Sequence, residues 1–433
     1  METALKKSIK FSFVGASSRY IFQVLSMMVL ARLLSPSEFG LLTSVMIVVG
    51  FGFLILQVGG ASIVASSPVE DLGNNLSSAI YISLLFLLFY LFAVVVFFDQ
   101  VSIFFSIEDK LFFSFMLIST VFRTFSGPLE GAYAARGRFK EIAKCEFYSY
   151  SFGYFFISCS LAYFGFGYWA LGLAIFFQAA LYLVLLKLGY KHEVFKVVKA
   201  SLIHKNLKFG FGVLLARVAS FFSSQGDNII INKYMGSYEL GVYGRAYQLM
   251  VVPTTFVGQV MNRVLIPKMS QESAESSRVL FFRFQLLAFI VSISIFLTIL
   301  WKGNYFVRLV LGEGWGDLVP ALTILSASIF YRLCFKFCES KIISGRKSRF
   351  LLYSNVIYAA ATISFCFLMK DSGIVGVSAA VTLSTLLYSF TMLHFSYSKE
   401  KLSWHVKVVL LNTFYTLCFV TTSYFFGLVD FIL

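Results

Sequence analysis

Continuous apolar runs, an internal repeat and a one-sided placement of basic residues predict an all-α polytopic membrane protein. The expected architecture is two six-helix bundles related by a pseudo-twofold axis, plus one extra C-terminal helix, about thirteen spans in all. Of 433 residues, 58% are hydrophobic and 13% are charged, and 52 are Phe. Soluble domains carry nearer a quarter charged residues. A helix of about twenty apolar residues crosses a hydrocarbon core. The runs here are unbroken rather than short and alternating, which excludes a closed β-barrel.

Taken in order, the first bundle is expected at 11–34, 39–63, 78–98, 111–135, 144–164 and 167–187. The second follows at 209–232, 240–262, 280–301, 317–344, 350–369 and 373–396, and a last span at 405–427. Residues 1–187 and 209–396 are therefore the two bundles, 188–208 a basic cytoplasmic linker, and 397–433 the additional helix. The repeat supports this division. Residues 10–19 read KFSFVGASSR and 208–217 read KFGFGVLLAR, so Lys10, Phe11, Phe13 and Arg19 recur as Lys208, Phe209, Phe211 and Arg217. Arg32 stands eight residues before Gly40 in PSEFG, as Lys233 does before Gly241 in SYELG. Arg123 and Glu130 stand seven apart, as do Arg332 and Glu339. Seven residues are about two turns, so each pair shares a helix face.

The net charge of +15 is explained by topology rather than by nucleic acid, which is not an expected partner. Basic residues gather at the N-terminus and in even-numbered connections: Arg136, Arg138, Lys140 and Lys144 in one, and Lys191, Lys196, Lys199, Lys205 and Lys208 in the longest. By the positive-inside rule the N-terminus is cytoplasmic. The connection 64–77, with Glu70 and Asp71 and no basic residue, is the exception. METALKKSIK is basic, but the run after it is a full span without a small-residue cleavage site, so the first helix is expected to be retained. Trp169, Trp301, Trp315 and Trp404 fall near expected span ends, as interfacial anchors should.

Several chemistries are excluded. The six Cys lie in or beside helices and read as small apolar packers. Cys334 and Cys338 are joined by no His or third Cys, so no metal centre is expected. Neither a Walker loop nor a GxSxG motif is present, so no nucleotide or other cofactor is implied and ATP hydrolysis is not expected.

The charges inside the apolar runs carry the chemistry. One at mid-bilayer costs on the order of 3 kcal/mol, so it needs a polar cavity or a partner. Arg19, Arg123, Arg217 and Arg332 are the substrate-binding candidates, because a guanidinium fork suits phosphate oxygens and stays charged. Related by pseudosymmetry, they would line one central cavity with positive potential. Glu130, Asp227 and Glu339 are candidates for binding a coupling proton or cation; Asp227 stands without an acidic counterpart in the first half. The alternative reading makes Arg123–Glu130 and Arg332–Glu339 internal ion pairs that hold the fourth and tenth spans. Pro128 and Pro253 are expected to interrupt their helices and permit kinks suited to alternating access.

The opening FSFVGASSRYIFQVLSMMVLARLLSPSEFGLLTSVMIVVGFGFLILQVGGASIV resembles the first two helices of bacterial polysaccharide flippases, the O-antigen and exopolysaccharide exporters of the multidrug/oligosaccharidyl-lipid/polysaccharide (MOP) superfamily. GSYELGVYGRAYQL at 236–249 and VLIPKMS at 264–270 resemble the matching start of the second half. The resemblance implies two six-helix bundles facing each other across a cavity in the bacterial inner membrane. It implies transport of undecaprenyl-diphosphate-linked oligosaccharides between leaflets, with the four Arg as diphosphate or sugar contacts. A proton or cation gradient and the polysaccharide polymerase machinery are the partners it suggests. Members have twelve or fourteen helices, and a thirteenth span departs from both counts. A lipid II flippase, a multidrug exporter of the same superfamily, and a membrane polysaccharide polymerase or ligase remain alternatives. The surplus of buried Arg favours an anionic substrate over a drug, and the short outer connections favour transport over catalysis.

Overall fold

A helix occupies each of the thirteen intervals in which the sequence expects one, and the described residues form no strand. The computed structural model describes residues 21–58, 60–190, 195–269, 274–344, 348–397 and 402–425. They fall into two compact units, Met1–Phe221 and Phe222–Leu433. Among the described residues nine helices are long and apolar enough to cross a membrane, and two shorter apolar helices are Ile21–Leu33 and Leu410–Phe419. The chain is a multi-pass membrane protein.

The N-terminal unit begins at α1 (Ile21–Leu33). It continues through α2 (Pro36–Leu56), α3 (Gly60–Ala65), α4 (Leu72–Val96), α5 (Phe98–Phe104), α6 (Lys110–Ala135), α7 (Phe139–Tyr148), α8 (Ile157–Tyr163) and α9 (Tyr168–Gly189). Local chemistry sets these starts. Ser35 and Glu38 form a capping box ahead of α2, with Pro36 in its first turn. At the head of α6, Asp109 Oδ1 accepts from the Phe112 N–H at 2.9 Å and Oδ2 accepts from the Tyr168 hydroxyl at 2.8 Å. Partial burial works to raise the Asp109 carboxyl, yet these hydrogen bonds hold it below the usual carboxylate range.

Two expected spans differ in detail. The second is broken: α2 ends at Leu56 and the chain resumes helically at Gly60. The fifth is continuous but changes pitch, with a π-helical stretch at Ser149–Phe156 between α7 and α8. There Gly153 meets α9 so closely that a Cβ would lie 2.7 Å from Gln178 Cα. Hydropathy registers neither feature, because both keep the segment apolar. Pro128 and Pro253 do not interrupt their helices; both lie inside unbroken α-helix.

The helix α10 (Ala200–Tyr234) runs through both units. The residue packing divides the chain within it, not inside 188–208, and the second half of that linker is already helical. Leu214 and Val218 explain the shift, since they pack with Val58, Ile63 and Ile82 of the first unit. Asn206 Nδ2 adds hydrogen bonds to Asn75 Oδ1 at 2.9 Å and Ser78 Oγ at 3.1 Å.

The C-terminal unit holds α11 (Ser237–Met269), α12 (Ala274–Leu311), α13 (Leu318–Ser344), α14 (Ser348–Leu368), α15 (Gly373–Tyr397) and α16 (Leu402–Phe425). Its centre is α13, which packs against α11, α12 and α15 and is the most buried of the nine candidate spans. Here the thirteenth helix finds its place. Tyr415 of α16 is buried, stacks on Phe330 at 4.4 Å and donates to the Ala327 carbonyl at 3.1 Å. Between helices in lipid, dispersion and such hydrogen bonds replace the hydrophobic driving force. Trp301 is 78% exposed, as an interfacial anchor should be, but Trp315 is 2% exposed and belongs to the core.

Candidate functional site

In the N-terminal unit, two of the four candidate arginines meet on one turn of α2. Phe53 and Gln57 are four residues apart and share a helix face. The Arg123 guanidinium, from α6, lies over the Phe53 ring at 5.4 Å. The Arg217 Nη1, from α10, donates to Gln57 Oε1. Both arginines are half-buried. The Arg123 Nε is buried with no hydrogen-bond acceptor among the described residues. A guanidinium never deprotonates, so the turn holds two fixed positive charges. Arg19 lies outside the described residues.

Close packing fixes this arrangement. Gly210 stands two turns before Arg217 on α10, and a Cβ there would lie 2.5 Å from the Val58 carbonyl oxygen. Only glycine lets α10 seat against the break between α2 and α3. The Gln57 position follows from that break, since it caps α2 with non-helical backbone.

The ion pair that the alternative reading puts within α6 does not form among the described residues. Glu130 accepts from the Tyr182 hydroxyl of α9 at 3.0 Å, and among the described residues no ion pair joins it to Arg123. Seven residues put the two Cα atoms about 10 Å apart along the axis, and each side chain finds a nearer partner on a different helix. The counterpart pair on α13 fails likewise. Glu339 accepts from Lys336 Nζ at 2.7 Å, one turn away, rather than from Arg332.

Arg332 instead enters a tyrosine cluster in the C-terminal unit. It is 7% exposed, donates from Nε to Ser328 Oγ at 3.3 Å and from Nη2 to the Tyr247 hydroxyl at 3.4 Å, and its guanidinium lies 5.1 Å from the Tyr247 ring centre. Tyr243, a turn before Tyr247 on α11, donates to Asp227 Oδ2 at 2.6 Å. Asp227 Oδ1 accepts the Asn228 N–H at 2.8 Å. Asp227 is 2% exposed and does not stand alone, since Tyr243 binds it directly and the Arg332 charge acts on it. The sequence reading missed Phe53, Gln57, Tyr243 and Tyr247. Gln57, Tyr243 and Tyr247 each set a polar tip inside or at the end of an apolar run, a signal that charge counting passes over. No cluster of metal-ligating side chains occurs among the described residues.

Comparison with known proteins places this arrangement in a family. A family model described as polysaccharide biosynthesis protein matches residues 29–320. The chain belongs to that family. The match takes in α2, Arg123, Glu130, Arg217 and Asp227 and ends before Arg332 and Glu339. Among curated proteins, this polysaccharide biosynthesis family member is 26% identical to an uncharacterized membrane protein of the cps region of Klebsiella pneumoniae, over 74% of this chain and 67% of that protein. It is 28% identical to the lipopolysaccharide biosynthesis protein WzxC of Escherichia coli K12, over 28% of this chain and 25% of WzxC. The succinoglycan biosynthesis transport protein ExoT of Rhizobium meliloti is 22% identical over 63% of this chain and 55% of ExoT. The fold is shared with solved membrane transporters. The lipid II flippase MurJ, in an inward closed conformation, superposes with a TM-score of 0.76 at 14% identity, over 97% of this chain and 99% of MurJ. An inward-facing multidrug resistance MATE transporter of the MOP superfamily gives 0.70 at 13% identity, over 93% and 99%. The family read from the opening and 236–270 segments therefore holds.

Proposed function

We propose that this chain is a flippase that moves a polyprenyl-diphosphate-linked oligosaccharide repeat unit from the inner to the outer leaflet of the bacterial inner membrane. Its product feeds O-antigen, capsule or exopolysaccharide synthesis and so passes to the polymerase machinery. One observation carries the reading: Arg123 and Arg217 bring two positive charges to a single turn of α2, and among the described residues no carboxylate pairs with either. Within an apolar protein such charges call for an anionic ligand, and planar guanidinium forks match phosphate oxygens. The Escherichia coli, Rhizobium and Klebsiella relatives support a cargo of surface polysaccharide synthesis.

In this reading the N-terminus is cytoplasmic, and residues 1–187 and 209–396 are two six-helix bundles related by a pseudo-twofold axis. They expose the cargo site alternately to each side, with Arg19 and Arg332 completing the anionic path. Asp227, with Glu130 and Glu339, binds the coupling proton or cation. Asp227 leads because it is buried on two hydrogen bonds and faces the Arg332 charge, so loading it changes a network rather than one side chain.

The test is export of lipid-linked sugar in cells carrying single variants. Arg123→Ala and Arg217→Ala should lower export on the order of tenfold or more, with membrane abundance unchanged. Arg→Lys should restore only part of it, because an ammonium lacks the planar fork. Asp227→Asn should stall transport and abolish its sensitivity to uncouplers. Loss of the protein from the membrane in the Arg→Ala variants would return these residues to a purely structural role.

A further inference from the structure

Arg123 and Arg217 are held by side chains that position a guanidinium without neutralising it. Phe53 offers a ring face and no acceptor; Gln57 offers an uncharged amide oxygen. Among the described residues no carboxylate pairs with either arginine. A carboxylate at either place would pair a full opposite charge with the guanidinium and would compete with an anionic ligand.

We propose that Gln57 is a placeholder for the ligand. Its amide oxygen occupies the point on Arg217 that a phosphoryl oxygen takes on binding, while Phe53 keeps Arg123 one turn away so that both guanidinium groups reach one diphosphate. The inference rests on the reading of these arginines as phosphate contacts and adds the residue that tunes them. Three features support it. Arg217 carries five N–H donors, of which Gln57 engages one, leaving a fork for a second oxygen. Arg123 Nε is buried and has no acceptor among the described residues, which costs free energy until a ligand supplies one. The backbone beneath is fixed, because Gly210 seats α10 on Val58 next to Gln57, so Arg217 stays in place when the amide lets go.

A placeholder and a purely positioning residue predict opposite results for two substitutions at one site. The probe is farnesyl diphosphate, with farnesyl monophosphate as comparison, titrated into the purified full-length chain in lipid nanodiscs. Gln57→Glu installs a charged competitor on Arg217 and should weaken farnesyl diphosphate binding about tenfold. Gln57→Met removes the acceptor at similar volume and should leave binding unchanged or tighten it severalfold, with less preference for diphosphate over monophosphate. Arg217→Ala is the control and should weaken binding at least as much as Gln57→Glu. If Arg217→Ala weakens binding but Gln57→Glu binds as wild type, or Gln57→Met falls with Arg217→Ala, the placeholder is wrong and the phosphate reading stands. If Arg217→Ala changes nothing, the phosphate reading itself fails and the placeholder with it. Should Gln57→Glu fail to reach the membrane, Gln57→Met alone decides, since any loss of affinity there overturns the proposal.

Discussion

Arg123 and Arg332 sit at nearly the same point on corresponding helices, fourteen residues past Asp109 and fifteen past Asp317, yet their surroundings differ in kind. Arg123 rests on a phenyl ring, half-exposed, with a buried Nε that no described residue accepts. Arg332 is buried among Ser328 and Tyr247, beside a cluster in which Tyr243 binds Asp227. A phenyl ring steadies a cation but offers no lone pair, so it engages none of the Arg123 N–H donors in an ordinary hydrogen bond. A phenol steadies it and also accepts, so Arg332 is closed into an internal network. One residue type in repeated positions therefore meets an aromatic face in the first unit and a hydrogen-bonded network in the second. The neighbour on the second or eighth span makes that difference, not the arginine.

The largest test removes each arginine in turn. Arg332→Ala strands buried polar groups and should destabilise the protein by about 3 kcal/mol, read as a fall in the unfolding temperature of the purified chain. Arg123→Ala should cost less than about 1 kcal/mol while export falls. Equal losses of stability would break the comparison.

Hydroxyl deletion sharpens it further. Tyr243→Phe takes a donor from fully buried Asp227 and should cost about 1–3 kcal/mol. Tyr182→Phe, against half-buried Glu130, should cost about 0.6 kcal/mol. A reversal of that order would show that Glu130, not Asp227, is the carboxylate the fold depends on.

The Lys336–Glu339 pair is partly exposed and one turn apart, so Lys336→Met or Glu339→Gln should each shift stability by only about 0.5 kcal/mol. An effect as large as that of Arg332→Ala would mean that the α13 stripe acts as one network.

The smallest effect belongs to Asp109 at the head of α6. Its folded carboxyl is held below the usual range, so its contribution is present above that range and is lost as pH falls through the lower folded value. Asp109→Asn should flatten the acid limb of stability against pH below about pH 4 and leave neutral stability nearly unchanged. An unaltered acid limb would rule out the cap as its source.

Legibility differed by kind of information. The spans were readable because a bilayer demands about twenty apolar residues whatever their neighbours. Arg123, Arg217, Arg332 and Asp227 were readable because a charge inside such a run is rare and costly. Their partners were not. Spacing of seven suggested Arg123–Glu130 and Arg332–Glu339, but sharing a face does not make two side chains meet when another helix, or a residue one turn away, offers a closer group. Tyr182, Lys336, Phe53 and Tyr247 took those places. Tyr243 and Gln57 left no mark, since one polar tip barely alters the apolarity of a run.

By itself the sequence determined the class of protein, its thirteen helical intervals and the identity of its intramembrane charges, because hydropathy and charge act residue by residue. Only the tertiary structure decided that α10 belongs partly to the first unit, that α16 docks on α13, and that Arg123 and Arg217 share a turn of α2 while Arg332 turns to Tyr247. Those outcomes depend on which helix approaches which, and at what depth. A glycine such as Gly210 or an uncharged partner such as Gln57 sets that approach without altering the apolar pattern along the chain.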